Sequence, residues 1–276
     1  MGGRATGYAK INLALHVRRR GADGFHEIET LFAFAEDGDT LELVDRPGLA
    51  LTGPFASALD HGGDNLVLRA ADRFVARYGR GGGHGFVLDK RLPVAAGIGG
   101  GSADAAAALR LLAEEGGVAT DDPGLLEIAA SLGADVPACL WSRACRGTGR
   151  GDRLTPIADI PSGMPLLLVN PGVALATGPV FAGWDGADRG PLGTGSALIA
   201  AGAGRNDLEA PAIALQPVIG DVLALLRAQP AASLVRMSGS GATCFALFDG
   251  VDARDAADRT VANAQPGWWR MATRLR

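Results

Sequence analysis

Polar and apolar residues alternate near the start of the chain, from residue 9 to residue 17. Alternation with a period of two is typical of a strand with one buried face. The apolar face comprises Ile11, Leu13, Leu15 and Val17. The opposite face carries Lys10, Asn12, Ala14 and His16. The pattern therefore predicts a half-buried strand that presents a cation and an amide on its polar face.

Further elements follow in the first half. Strands are predicted over 31–34 and 40–44, separated by a turn at Asp37-Gly38-Asp39, and over 85–88. Asp64 and Asn65 predict the start of a helix that continues to about Tyr78. A second helix is predicted from Asp121-Asp122, with Pro123 in its first turn, to about Gly133.

The second half predicts a smaller α+β layer. Strands are expected at 165–169, 234–237, 243–248 and 268–273, and helices at 177–184, 207–215, 217–227 and 252–264. This order resembles a split βαβ, ferredoxin-like layer. A long glycine-rich loop is predicted over 185–204. We expect two domains, residues 1–160 and residues 161–276.

Glycine dominates the segment from Gly97 to Gly101, which contains four glycines in five positions. Ser102 is predicted to open an alanine-rich helix. A glycine loop that enters a helix presents unpaired amides and the positive end of the helix dipole, which favours phosphate. No Gly-Lys-Ser/Thr follows, and the segment fits the dinucleotide fingerprint poorly. A flexible linker is the structural alternative.

Composition narrows the function classes. The 276 residues are 47% hydrophobic, and the net charge of −4 is not that of a nucleic-acid-binding protein. No run of about 18 apolar residues and no signal peptide is evident, so no membrane partner is expected. Cys139, Cys145 and Cys244 are odd in number and lack metal-ligand spacing. Free thiols in a cytoplasmic protein fit best.

Lysine is rare in this chain: 24 arginines accompany two lysines, Lys10 and Lys90. A compact ammonium and a planar guanidinium are not interchangeable where space or geometry is restricted. The two lysines therefore mark places where an ammonium is required, or they remain by chance. Both lie next to other candidate functional segments.

Three further segments have competing interpretations. Asp135 follows the helix that ends near Gly133 and is either a rigidly held functional carboxylate or a helix cap. Phe25-His26 either binds a flat heterocycle or belongs to a hairpin with a surface histidine. Gly239-Ser240-Gly241 is either an anion-binding nest or a plain hairpin turn.

Together these segments resemble the GHMP small-molecule kinases. The resemblance is carried by Ala9-Lys10-Ile11-Asn12-Leu13, Asp23-Gly24-Phe25-His26-Glu27, Leu92-Pro93 into Gly101-Ser102, Leu132 to Pro137, and Ser238 to Ala242. It implies an α+β, two-domain GHMP kinase fold. The first domain would be mixed α/β with a glycine-rich phosphate loop, the second ferredoxin-like, and the site would lie in the cleft between them.

The resemblance also implies residue roles. Asp135 would act on the acceptor hydroxyl as general base or charge stabiliser, and Lys10 would pair with Asp135 and the γ-phosphate. Phe25 and His26 would hold a cytosine, and Asn12 would contact the acceptor alcohol. Thr177, Gly239 and Ser240 would lie on the substrate side. The ATP-binding residues would be Asn65, Lys90, Pro93, Gly97, Gly99, Gly100, Gly101, Ser102 and Ala103.

The resemblance is strongest to members whose substrate carries a cytidine diphosphate group. It implies ATP as co-substrate with Mg²⁺, small-molecule partners, and a monomer or weak homodimer. Phe25 stands where a tyrosine is usual, Ala103 where a serine is frequent, and Asp152 where glutamate is common. The alternatives are a homoserine or mevalonate type of kinase, a non-catalytic nucleotide-binding protein and, least well supported, a dinucleotide-dependent oxidoreductase.

Overall fold

The computed structural model describes residues 3–59 and 64–276. They form two compact units, each built from several chain segments. The first unit comprises Met1–Ala9, Asp37–Val94 and Gly99–Ser142, and the second comprises Lys10–Glu36, Ala95–Ile98 and Arg143–Arg276. Strands β1 (Arg4–Arg20) and β2 (His26–Val44) each supply residues to both units. Because these strands are long, no single chain position separates the units, unlike the predicted division at residue 160.

The first unit combines sheet and helices. The last part of β2 pairs antiparallel with β4 (Gly85–Asp89), from Thr40 opposite Asp89 to Val44 opposite Gly85. Strand β3 (Gly48–Thr52) pairs parallel with β4. The helices are α1 (Leu66–Tyr78), α2 (Gly100–Gly116), α3 (Pro123–Leu132) and α4 (Val136–Trp141). A short 3-10 helix spans Ala56–Ala58. Helix α2 is buried along most of its length and packs against α1 and α4.

The predicted turn at Asp37-Gly38-Asp39 is wrong, because β2 continues through these residues as one strand. Gly38 permits this course: a Cβ at this position would lie 2.0 Å from the carbonyl oxygen of Gly7. Asp39 is fully buried, and its Oδ1 accepts hydrogen bonds from the backbone N–H groups of Arg91 (2.6 Å) and Leu92 (2.9 Å). Glycine and aspartate are typical of turns. Here, however, Gly38 permits close packing against the Gly7 backbone, and Asp39 provides a buried carboxylate.

The helix that follows the glycine segment begins earlier than predicted. Helix α2 begins at Gly100, two residues before Ser102, so Gly100 and Gly101 belong to its first turn. Gly99 precedes the helix in the left-handed region, with φ of 64°. The first N–H groups of a helix have no intrahelical acceptor, which makes the first turn tolerant of glycine. The loop-to-helix junction is confirmed, with a shifted boundary.

The second unit contains strands β5 (Cys145–Thr148) and β6 (Arg153–Pro156) together with parts of β1 and β2. Strand β1 pairs with β2, whose residues 30–32 pair antiparallel with β5. Strand β5 in turn pairs antiparallel with β6. Strands β3, β5 and β6 were not predicted. Each has only four or five residues, too few for a clear alternation.

The predicted ferredoxin-like layer is confirmed within the second unit. Its strands are β7 (Pro165–Asn170), β8 (Ala232–Met237), β9 (Cys244–Phe248) and β10 (Trp269–Arg274), in the antiparallel order β10-β7-β9-β8. Its helices are α5 (Thr177–Ala182), α6 (Ala197–Ala203), α7 (Glu209–Leu215), α8 (Val218–Arg227) and α9 (Val251–Ala264). Helix α6 lies within the predicted glycine-rich loop and buries Ala197, Ala200 and Ala201.

Across residues 3–59 and 64–276, none of the helices has the length and apolar character needed to cross a bilayer.

Candidate active site

Lys10 and Asn12 lie on one face of β1 in the second unit, and both are buried. Ile11 and Leu13 on the opposite face are buried as well. The prediction of a half-buried strand is therefore wrong, because this part of β1 is covered on both faces. The Lys10 ammonium donates a hydrogen bond to Asn12 Oδ1 at 3.0 Å and lies 4.6 Å from the centre of the Phe32 ring. Asn12 Nδ2 donates to Thr30 Oγ1 at 2.7 Å. An amide oxygen and an aromatic face both stabilise a cation withdrawn from water. The strand therefore holds a buried ammonium in one position.

The segment 95–98, which leads to α2, is held by backbone contacts on two sides. The backbone N–H of Lys10 donates a hydrogen bond to the carbonyl oxygen of Ile98 at 3.0 Å. The backbone N–H of Thr243 donates to the carbonyl oxygen of Ala96 at 3.1 Å. Ser238 links the same segment to β1: its Oγ donates to the Gly97 carbonyl at 2.9 Å and accepts from the Asn12 N–H at 3.2 Å. Gly97 and Asn12 are thus joined through one hydroxyl.

Gly97 has no space for a side chain. Its φ is 76°, and a Cβ would lie 2.5 Å from the carbonyl oxygens of both Ser238 and Gly241. We expect Gly97→Ala to lower the free energy of unfolding by at least about 3 kcal/mol, through the sum of left-handed strain and steric overlap. Denaturant titration measures this loss.

Gly172 provides the matched control for this substitution. It has φ of 77° and no atom within 4 Å of a built Cβ. Gly172→Ala is expected to cost about 1–2 kcal/mol, the strain of φ alone. Equal losses in the two variants would contradict close packing at Gly97.

The turn between β8 and β9 brings Gly239 and Ser240 next to this segment. Gly239 has φ of 55°, and its carbonyl accepts from Asn206 Nδ2 at 2.8 Å; the same Nδ2 donates to the Met237 carbonyl. Ser240 Oγ lies 3.0 Å from Thr177 Oγ1, at the start of α5. The turn is a hairpin connection, as one interpretation predicted, and it brings two predicted substrate-side hydroxyls together.

Phe25 and His26 line one open cavity of about 470 Å³ within the second unit. Phe25 is 55% exposed, and the Arg150 guanidinium lies 4.7 Å from its ring centre. Arg19, Asp23 and Asp152 also line the cavity. Large apolar rings are normally buried, so an exposed ring in a charged cavity suits a flat polar ligand.

His26 is held by aromatic neighbours. Its ring centre lies 5.0 Å from that of Phe181 and 5.7 Å from that of Trp184, the latter edge-on. Burial lowers the pKa of His26 below the ordinary 6.5, and the nearby Arg20 lowers it further. A neutral imidazole has one donor and one acceptor, which matches the mixed hydrogen-bonding edge of a nucleobase.

The first unit holds the start of α2. Helix α2 is 17 residues long, and the N–H of Ala103 donates to the Gly99 carbonyl at 2.8 Å. The N–H groups of Gly100, Gly101 and Ser102 belong to the first turn, where the helix dipole favours an anion. Ala103 and Pro93, two further residues of the predicted ATP site, are buried.

Lys90 is buried beside this helix in the first unit. Its ammonium lies 2.5 Å from Asp39 Oδ2 and 2.7 Å from Asp104 Oδ2. Both lysines of the chain are therefore buried and have specific partners. The requirement for an ammonium at these positions stays a prediction. Asn65 caps α1, because its side-chain oxygen accepts from the N–H of Val67 at 2.9 Å.

Asp135 immediately precedes α4 in the first unit and is partly buried. Its side chain makes no capping hydrogen bond to that helix, so the structure does not support the interpretation as a helix cap. Lys10 belongs to the second unit and Asp135 to the first, and their pairing stays a prediction.

Several residues of these clusters were not predicted from the sequence as functional residues. They are Thr30, Asp39, Asp104, Arg150, Phe181, Asn206 and Ser238. Ser238 adjoins the Gly239-Ser240 motif and could have been included with it. The other contacts join residues remote in sequence, which no local pattern reveals.

This chain is similar to known proteins over nearly its whole length. The model of the GHMP kinases N terminal domain matches residues 65–143, and that of the GHMP kinases C terminal matches residues 189–264. A protein of Rhizorhabdus wittichii named 4-diphosphocytidyl-2-C-methyl-D-erythritol kinase is 64% identical over 98% of this chain and 93% of its own length. One of the same name from Sphingopyxis alaskensis is 54% identical over 99% and 98%.

Solved structures give the same result for the fold. A crystal structure of 4-(cytidine 5'-diphospho)-2C-methyl-D-erythritol kinase, 36% identical, superposes with a TM-score of 0.83 and covers 99% of both chains. Homoserine kinase from Cytophaga hutchinsonii, 17% identical, covers 96% of this chain and 94% of its own with a TM-score of 0.67, a likeness of fold alone. The chain belongs to the GHMP kinase family.

Proposed function

We propose that this kinase transfers the γ-phosphoryl group of ATP to the 2-hydroxyl of 4-diphosphocytidyl-2-C-methyl-D-erythritol, a step of the non-mevalonate route to isoprenoid precursors. The observation that carries the proposal is the 64% identity, over 98% of the chain, to a relative named for this substrate. The cavity lined by Phe25 and His26 supports a cytidine-bearing acceptor. A homoserine or mevalonate acceptor would have no ring to stack there.

The nucleotide is proposed to bind at the start of α2. The N–H groups of Gly99, Gly100, Gly101 and Ser102 would receive the phosphates, with Gly97 and Ala103 keeping the adjoining backbone compact. Asn65 would lie near the nucleoside, and Pro93 would adjoin the nucleotide. Lys90 would lie near it without touching it, because its ammonium is buried between Asp39 and Asp104. Unpaired first-turn amides and the helix dipole supply the attraction for a polyanion without any mobile side chain.

Magnesium is proposed to accompany ATP. Residues 3–59 and 64–276 contain no group of three or more acidic, histidine or cysteine side chains that could enclose a metal. Mg²⁺ needs no such enclosing group, because it usually keeps several waters and binds substrate phosphates together with one or two carboxylates. When bound, the ion neutralises charge on the β- and γ-phosphates.

The acceptor is proposed to lie against the second unit. Phe25 would stack on the cytosine and His26 would hydrogen-bond its polar edge. Asn12 would contact the methylerythritol portion, and Thr177, Gly239 and Ser240 would lie on the same side. The side-chain amide of Asn12 accepts a hydrogen bond from Lys10 and donates one to Thr30, and its backbone N–H donates to Ser238 Oγ. These bonds hold Asn12 in one orientation before substrate arrives.

Catalysis is assigned to Lys10 and Asp135. Phosphoryl transfer passes through a loose transition state, so positioning and neutralisation of charge supply most of the rate acceleration. The Lys10 ammonium would stabilise charge on the transferred phosphoryl group. Asp135 would act on the acceptor hydroxyl as general base or charge stabiliser. A buried ammonium is effective here because little water screens its field.

A coupled assay of ADP release tests the acceptor. We expect release with the cytidyl-diphosphate substrate and little with homoserine or mevalonate at equal concentration. Activity confined to the latter two would overturn the acceptor assignment. ATP binding without ADP release from any acceptor would favour a non-catalytic nucleotide-binding protein.

His26 predicts a pH dependence of acceptor binding. Because burial and Arg20 lower its pKa below 6.5, His26 stays neutral at pH 7 and gains a proton only at more acidic pH. We expect KM for the cytidyl substrate to stay constant above pH 6.5 and rise below it. Initial rates from pH 5 to pH 8 measure this. His26→Gln retains a donor and an acceptor without titrating and is expected to remove the inflection; an unchanged inflection would contradict the assignment.

We further propose that the enzyme acts in the cytoplasm on small molecules, as a monomer or weak homodimer, without a nucleic-acid or membrane partner. The net charge of −4 supports the absence of a nucleic-acid partner. Sedimentation at several protein concentrations tests the oligomeric state.

A further inference from the structure

A buried cluster of charges lies beside the start of α2. It consists of Asp39 on β2, Lys90 immediately after β4, and Asp104 in the first half of α2. Lys90 Nζ bridges Asp39 Oδ2 and Asp104 Oδ2, and the three side chains are 0 to 3% exposed. The cluster thus ties the helix to two strands of the first unit.

The two carboxylates have unequal environments. Asp39 accepts hydrogen bonds from the backbone N–H groups of Arg91 and Leu92 in addition to that from Lys90. Asp104 Oδ2 contacts Lys90, whereas its buried Oδ1 has no hydrogen-bond partner among the described residues. With both carboxylates ionised, the cluster would carry a net negative charge away from water, which is costly. A proton on Asp104 removes that charge.

The cluster touches the first turn of α2 directly. A Cβ at Gly100 would lie 3.0 Å from Lys90 Nζ, so the ammonium lies against the backbone proposed to bind phosphate. A net negative charge at this position would oppose a triphosphate at the same helix end, and low dielectric would make the repulsion strong.

We propose that Asp39, Lys90 and Asp104 position the start of α2 for ATP, and that a proton on Asp104 keeps this support neutral so that the nucleotide binds. The three are positioning residues. This inference rests on the proposed binding of ATP at α2.

The titration of Asp104 follows from its surroundings. Burial raises the pKa of Asp104 to about 8, against the opposing effect of Lys90 and with a further increase from Asp39. From β1, the neutral backbone of Gly7 faces Asp104: a Cβ there would lie 2.9 Å from Oδ1. Asp104 therefore ionises at mildly alkaline pH, while Lys90 stays charged because Asp104 and Asp39 raise its pKa despite burial.

The test is the affinity for ATP from pH 7.5 to pH 9.5, where the nucleotide's own phosphates are already ionised. Calorimetry with ATP and Mg²⁺ needs no acceptor. We expect Kd for ATP to rise about tenfold across this range as the buried charge appears. Asp104→Asn, which cannot ionise, is expected to show equal Kd at both ends. Glu114→Gln removes an exposed carboxylate near the other end of α2 and is expected to retain the rise.

The outcomes separate this inference from the proposed function. A flat profile in the unmodified protein, or a rise that persists in Asp104→Asn, would overturn the inference while ATP binding stands. Absence of ATP binding at every pH would overturn both. Should Asp104→Asn fail to fold, ¹³C NMR titration of the unmodified protein reads the aspartates directly. One aspartate titrating near pH 8 supports the inference, and none above pH 6 overturns it.

Discussion

Replacing Asp135 with asparagine is expected to lower kcat by about 10²–10⁴-fold, the usual contribution of a positioned acid or base. The substitution preserves shape and removes the charge. Since the Asp135 side chain does not cap α4, its loss should leave that helix intact. KM for ATP should change little, because the phosphates are assigned to the amides of α2.

Steady-state kinetics with varied ATP and varied acceptor separate these effects. Asp121→Asn serves as control, since Asp121 is an exposed aspartate just before α3 and should tolerate the change without loss of kcat. Unchanged turnover in Asp135→Asn would remove Asp135 from the mechanism. A rise in KM for ATP with kcat preserved would move it to nucleotide binding.

Replacing Lys10 with methionine is expected to lower kcat by about 10²-fold or more, because a charge directed at the transferring phosphoryl group is lost. Methionine retains most of the apolar stem beside Phe32 and leaves Asn12 Oδ1 without the ammonium that it accepts from. Lys10→Arg keeps the charge but places a wide planar group in a site that is 3% exposed. We expect both variants to be impaired.

The comparison of the two Lys10 variants distinguishes charge from shape. Near-normal kcat in Lys10→Arg with loss in Lys10→Met would show that any cation suffices, against the requirement for a compact ammonium. Thermal unfolding of both variants checks that the fold is retained. The double variant Lys10→Met/Asp135→Asn tests the predicted pairing, since two groups acting as a unit give losses that do not add.

Much of this architecture could be predicted from the sequence where a local pattern determines the element. Alternation over residues 9–17 identified β1, Asn65 and Asp122 identified the starts of α1 and α3, and the order of elements after residue 161 identified the ferredoxin-like layer. Scarcity of lysine drew attention to Lys10 and Lys90, and both side chains are buried.

The failures occurred where distant residues override local preference. Asp37-Gly38-Asp39 has turn composition, yet Gly38 admits the Gly7 backbone and Asp39 receives two N–H groups and an ammonium. The cavity at Phe25 could not be predicted, because it also depends on Arg150. Arg150 lies between β5 and β6, more than a hundred residues from Phe25 in the sequence. Such contacts depend on topology, which local periodicity does not encode.

Phosphorylation of the 2-hydroxyl of the cytidyl-diphosphate acceptor is the reaction proposed for this chain. The most direct measurement is ³¹P NMR of a reaction containing ATP, Mg²⁺ and 4-diphosphocytidyl-2-C-methyl-D-erythritol. We predict one new phosphate monoester at the 2-position, formed in equal amount to ADP, with the diphosphate bridge intact. ADP accompanied by inorganic phosphate alone, or a monoester at another hydroxyl, would contradict the account.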